Sequence, residues 1–149
     1  MVTGFNHSGI VIRDLETMVS FYRDILGLTV IREVESVAPP AGNHTGIPGS
    51  ERMLVFVGKP DGDHLLELVH YREPKSPNGH LERNQLGASH ICFNVEGLAN
   101  LHEKLISQGI SFVTPPIYTD LPNGSRTGIC YFQDPEGNWI ELVERTRPS

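Results

Sequence analysis

The chain writes one pattern of hydrophobic segments and turns twice, and that repetition restricts the fold more than any other feature of its 149 residues. The first copy opens with the alternating run Phe5–Ile12, which leads into Arg13-Asp14. Asp14 suits a helix N-cap, because its carboxylate can accept a free backbone N–H. Leu15, Met18, Val19, Tyr22, Ile25 and Leu26 follow at helical spacing, and Gly27 supplies the stop. Leu28–Glu35 reads as a strand and Ser36–Ser50 as a Pro- and Gly-rich loop of the kind that serves as a binding loop or lid. Met53–Gly58 and Leu65–Tyr71 are two more strands, separated by the turn Pro60-Asp61-Gly62.

The second copy keeps that order. Ser89–Val95 reads as a strand, and Leu98, Leu101, Leu105 and Ile106 mark a helix that stops at Gly109. Ile110–Val113 is expected to be a strand and Thr114–Gly128 a loop. Ile129–Phe132 and Asn138–Val143 complete the set around the turn Asp134-Pro135-Glu136-Gly137. Leu66-Glu67-Leu68-Val69 in one half answers Ile140-Glu141-Leu142-Val143 in the other. Self-similarity on this scale means two copies of one supersecondary unit, each needing the other to cover its sheet. The predicted fold class is therefore α+β, with two tandem βαβββ modules at about 4–72 and 88–146 inside one domain spanning 1–149.

Charge and cysteine content narrow the partners. With 18 acidic and 12 basic side chains, the formal charge is −6, and no Lys/Arg cluster offsets it. A net negative surface repels phosphate backbones, so nucleic acid is not an expected partner. No apolar run approaches the roughly 20 residues that span a bilayer, so no membrane association is expected. Met1–His7 has neither a basic nor an apolar signal-like stretch. Cys92 and Cys130 have no CxxC spacing, and a reducing cytoplasm is the expected compartment.

Each half contributes a His from its first strand, His7 or His90, and a Glu from its last, Glu67 or Glu141. Side chains alternate along a strand, so Leu65, Glu67 and Val69 share a face, as do Trp139, Glu141 and Val143. A Glu among apolar neighbours is expensive unless its charge is compensated. Two converging carboxylates would also repel one another, whereas a divalent cation removes both problems and accepts two imidazoles besides. Taken singly, each His reads as a hydrogen-bonded structural residue and each Glu as an edge-strand charge; their recurrence at matching places points to a metal. His44 and His80 fall in polar loops, His64 and His70 alternate to the face opposite Glu67, and His102 lies on a helix. Cys92 shares the face of His90 but suits packing.

The stretches His7-Ser8-Gly9-Ile10-Val11-Ile12-Arg13-Asp14-Leu15, Phe21-Tyr22-Arg23-Asp24-Ile25-Leu26-Gly27-Leu28 and Asp134-Pro135-Glu136-Gly137-Asn138-Trp139-Ile140-Glu141-Leu142 resemble the vicinal-oxygen-chelate superfamily of glyoxalases, bleomycin-resistance proteins and extradiol dioxygenases. That resemblance covers nearly the whole chain except Ser36–Ser50 and Arg72–Gly87. It implies an open eight-stranded cup around one divalent metal, with His7, Glu67, His90 and Glu141 as ligands, in a homodimer. The metal is left open among Zn, Ni, Co, Mn and Fe, which such N/O ligands all suit.

Within the resemblance, a filled second position is the pattern of glyoxalase I, and of methylmalonyl-CoA epimerase with Gln there, whereas extradiol dioxygenases leave it empty. Glu67 therefore favours a metal-dependent isomerase, epimerase or lyase that moves a proton beside the carbonyl or thioester of a small substrate, with Glu67 or Glu141 as base. Val11 and Tyr71 stand where glyoxalase I carries its glutathione-binding Arg and Asn, which argues against a lactoylglutathione substrate. Glu51 falls near the epimerases' second acid/base. Tyr131, ten residues before Glu141, falls where extradiol dioxygenases carry an active-site Tyr. Ring-cleaving oxygenation and ligand sequestration without turnover remain the two alternative readings.

Overall fold

The computed structural model describes residues 1–77, 79 and 81–147. The chain divides into two compact units, Met1–Asn78 and Gly79–Ser149. In the first, β1 (His7–Ile12) leads through α1 (Leu15–Ser20) and a π-helical turn (Phe21–Ile25) to β2 (Thr29–Val37), β3 (Glu51–Gly58) and β4 (Leu65–Glu73). The second runs β5 (His90–Asn94), α2 (Leu98–Ser107), β6 (Ile117–Asp120), β7 (Arg126–Gln133) and β8 (Trp139–Thr146). The sheets have matching orders, β1-β4-β3-β2 and β5-β8-β7-β6. In each, the first strand runs parallel to the last and the other pairings are antiparallel. This is the two-module α+β fold that the repetition predicts.

Local chemistry explains the boundaries. Asp14 caps α1 as expected, accepting from Thr17 N at 3.0 Å and from Thr17 Oγ1 at 2.8 Å. The helical stripe then buries Met18, Phe21 and Tyr22, and Gly27 ends it at φ 72°, in the left-handed region that glycine tolerates. Ile12, Val55, Val57 and Leu68 are likewise within 2% of full burial. Each such side chain contributes about 1.5–3 kcal/mol relative to exposure. In the second unit, Leu98 and Leu105 of α2 are fully buried, as are Phe132 and Ile140, and Cys130 and Leu142 are each 1% exposed. The Asp134 turn is held by its own carboxylate, which accepts from the backbone of Glu136 and Asn138 and from Asn138 Nδ2 at 2.8–3.0 Å.

Two expectations need correction. Ile110–Val113 is not a strand: Phe112 makes only an isolated bridge to Phe132. The strand lies instead inside the predicted loop, where Ile117–Asp120 pairs with Arg126–Ile129 around a turn closed by Gly124 N to Leu121 O at 2.9 Å. Asn123-Gly124 is the dipeptide that such a turn favours, and it was the missed signal. In the first unit β2 continues to Val37, and Ala38 N bonds Ser50 O at 2.8 Å, so the intervening loop is a closed excursion pinned at its base.

Burial pushes the Cys130 thiol up to about 11. Because the folded value exceeds the unfolded one, the stability linked to the protonated thiol is complete below about pH 9 and is lost as pH rises toward 11. The urea midpoint should fall across that range more steeply than in Cys130→Ala. Equal slopes in the two proteins would disprove the assignment.

Candidate functional site

The two units place their His and Glu by the same register. His7 lies opposite Leu65, two residues before Glu67, and Gly9 lies opposite Glu67 itself. His90 lies opposite Trp139, two residues before Glu141, and Cys92 opposite Glu141. In a parallel pair this two-residue offset keeps each imidazole on the same sheet face as the carboxylate of the neighbouring strand and within reach of it. His7 Nε2 is 3.4 Å from Glu67 Oε2, and His90 Nε2 is 3.0 Å from Glu141 Oε2. The carboxylates are the deeper partners, with side chains 16% and 13% exposed against 37% and 49% for the imidazoles.

The walls around the two pairs also correspond. Phe56 sits across from Glu67, and Tyr131 occupies the same place across from Glu141. Each ring meets its histidine edge-on with centroids 5.6 Å apart. Chemistry separates them at two positions. Tyr131 OH donates to Glu141 Oε2 at 2.5 Å, a contact that Phe56 cannot make to Glu67. Cys92 also presents its thiol to Glu141, whereas Gly9 presents only backbone to Glu67. Burial, followed by the hydrogen bond to Glu141, pushes the Tyr131 phenol up to about 12. Burial, followed by the Glu141 charge, pushes the Cys92 thiol up to about 11.

Gly9 marks a close approach. A Cβ there would lie 3.2 Å from Glu67 Oε2, so the missing side chain leaves the space that the carboxylate uses. His7 is oriented from behind, its Nδ1 lying 2.7 Å from Asn6 Oδ1. Since an amide oxygen only accepts, Nδ1 carries the hydrogen, and in a neutral ring Nε2 then turns a lone pair toward Glu67. A lone pair facing a carboxylate wants a cation between them. By donor chemistry, then, each pair fits half of an N/O metal site. Among the described residues, no group of three or more His, Cys, Asp and Glu side chains is arranged to hold a metal ion.

Other expected residues fall elsewhere. Glu51 is exposed at the start of β3 and, by alternation, off the face that carries Phe56 and Glu67. His64 bonds Ser8 Oγ at 2.9 Å, and His102 stacks on Phe112 at 4.4 Å. His80 lies outside the described residues. Three arginines were not anticipated. Arg32 covers the Phe56 ring at 3.9 Å, Arg83 covers Trp139 at 4.4 Å, and Arg52 is 8% exposed with one N–H on Ser36 Oγ. Arg52 and Phe56 lie at alternate positions of one strand, a pattern that could have flagged Arg52; Arg83 lies in irregular chain and had no such signal.

The paired sheets with their repeated His–Glu register define a βαβββ protein of the glyoxalase type. The pattern of the Glyoxalase/Bleomycin resistance protein/Dioxygenase superfamily matches residues 4–142, and the chain belongs to that superfamily. A lactoylglutathione lyase from Pseudomonas aeruginosa is 26% identical over 94% of this chain and 81% of its own length. The mitochondrial methylmalonyl-CoA epimerase of Mus musculus is 33% identical over a shorter stretch, 63% of this chain and 47% of the epimerase. The crystal structure of a glyoxalase family protein from Bacillus cereus superposes with a TM-score of 0.80 at 24% identity, over 97% of this chain and 95% of that one, a likeness of fold. No helix among the described residues is long and apolar enough to cross a membrane.

Proposed function

We propose that His7, Glu67, His90 and Glu141 together ligate one divalent metal ion, and that the protein is an isomerase, epimerase or lyase moving a proton beside the carbonyl or thioester of a small substrate. The observation that carries this reading is the shared register, which sets a histidine against a glutamate identically in both units. Similarity to a lactoylglutathione lyase and to an epimerase supports it. The bound ion would supply a Lewis acid that polarises the substrate carbonyl oxygen.

The protein's own groups divide the remaining work. Glu141 is tethered by the Tyr131 hydroxyl and the Cys92 thiol, so its carboxylate is held in place. Glu67 faces Gly9, with no hydroxyl or thiol donor on it among the described residues, and is the carboxylate free to swing toward a substrate carbon. Glu67 is accordingly the base that takes the proton and returns it. His7, oriented by Asn6, and His90 hold their ligand geometry.

The test is an assay of metal-reconstituted protein with methylglyoxal–thiol adducts, acyl-CoA thioesters and catechols, following both solvent-deuterium incorporation and oxygen consumption. Deuterium gained beside a carbonyl without oxygen uptake is the expected result. Oxygen uptake with catechols, or tight binding with no turnover, would replace it by one of the other two readings. A milder perturbation tests the geometry. Gly9→Ala should displace the Glu67 carboxylate while leaving the fold intact, because the 3.2 Å contact falls on the flexible end of a side chain. Metal affinity should drop by about 10-fold, the low end for a disturbed ligand orientation. Unchanged affinity would mean that Glu67 does not ligate.

A further inference from the structure

Arg52 is the one buried basic side chain among the described residues; it is 8% exposed, whereas every other described Lys and Arg is exposed. A guanidinium keeps its charge at any depth, so burial leaves that charge to be balanced from within. Among the described residues no carboxylate pairs with it. Glu35, on the adjoining strand, is taken by Arg72. Glu51 is exposed and alternates to the opposite face of β3. One N–H of Arg52 meets Ser36 Oγ at 2.9 Å, and its guanidinium carbon lies 5.8 Å from the centre of the Tyr71 ring. Its Nε is buried with no hydrogen-bond partner, and so is Oγ of the fully buried Ser50.

Register gathers these groups. Ser36 lies opposite Arg52, and Ala38 N bonds Ser50 O at 2.8 Å, so Ser36, Ala38, Ser50 and Arg52 share one face at the base of the Ser36–Ser50 loop. Burial follows the alternation, since Val37 and Glu51 between them are exposed. Ser50 Oγ and Arg52 Nε do not bond each other, so satisfying both takes a third species. The Ser36 hydroxyl accepts from Arg52 and keeps its own hydrogen to donate. Water would satisfy such donors but leave the charge uncompensated, whereas an anion answers both needs. One positive charge matches one negative charge, and a second would stand unpaired in the same buried setting. An Nε closed to solvent also favours a compact ion over an organic acid. We infer that Arg52, Ser50 and Ser36 form a buried site for a small monovalent anion of the halide class, with chloride as its occupant. The site uses none of the proposed metal ligands. Because Ser36 and Ser50 sit at the two ends of the loop, the ion ties those ends together.

The line width of the chloride NMR signal reads binding directly. Full-length protein is titrated with chloride in place of gluconate at constant ionic strength, with a chelator present so that no divalent ion offers chloride a second site. The wild-type protein should broaden the signal saturably, and bromide should displace the ion. Ser50→Ala should weaken binding by about 10-fold, as loss of one hydrogen bond to a charged group does. Arg52→Met should abolish it. The thermal midpoint should rise with chloride in the wild-type protein, since a ligand of the folded state stabilises that state. It should stay flat in Arg52→Met, whose neutral side chain needs no counter-ion. Should Arg52→Met not fold, Ser50→Ala carries the comparison. Saturable broadening that survives in Arg52→Met, unchanged affinity in Ser50→Ala, a wild-type midpoint indifferent to chloride, or phosphate displacing chloride better than bromide does would each overturn the assignment.

Discussion

Glu67→Ala is expected to slow deuterium incorporation beside the substrate carbonyl by about 10²–10⁴-fold, the range for removal of a positioned base. Because Glu67 is also a proposed ligand, the measurement is made at saturating metal, and Glu67→Gln separates the two roles. Glutamine can still offer an oxygen to an ion but cannot accept the proton. Both variants should therefore lose exchange, and glutamine should retain more metal than alanine. If Glu67→Gln keeps full exchange, the base lies elsewhere, with Glu141 next in line. The oxygenase reading predicts something different again. With Glu67 gone an extra ligand position opens, so iron-loaded protein that consumes oxygen with catechols, and does so faster in Glu67→Ala, would establish that chemistry instead.

His90→Ala and Glu141→Ala should each strip about one equivalent of divalent metal from the protein, by more than the roughly 10- to 100-fold that indirect partners of a metal account for. Neither should unfold it. The His90 side chain is 49% exposed, and Glu141 lies on the sheet face opposite Ile140 and Leu142, which supply the core. The Glu141 variant leaves the part-buried Tyr131 hydroxyl without its acceptor, a loss of about 1–3 kcal/mol that leaves a folded domain, while the exposed Cys92 thiol turns to water. Elemental analysis of dialysed protein measures the metal, and circular dichroism checks the fold. Full metal content in both variants would end the proposal that these residues are ligands.

How much of this could be read in advance differs from residue to residue. Asp14, Gly27, Gly109 and the Asp134 turn were legible because caps and turns are satisfied by neighbours in sequence. The strand at Ile117–Asp120 was not, because a short run after Pro115-Pro116 gains its partner only when the Asn123-Gly124 turn folds it onto β7.

The sequence by itself determined the two βαβββ units and the recurrence of a His and a Glu at matching strand positions, since hydrophobic period and turn chemistry act over a few residues. Only the tertiary structure decided what those residues meet. Parallel pairing of β1 with β4 and of β5 with β8 set each imidazole against its carboxylate. The same pairing put Gly9 beside one glutamate and Cys92 beside the other, and β7 then brought Tyr131 onto Glu141, which makes the two repeats unequal as acid–base groups. Arg83 over Trp139 joins residues 56 positions apart through side chains alone, and no local pattern encodes a contact of that kind.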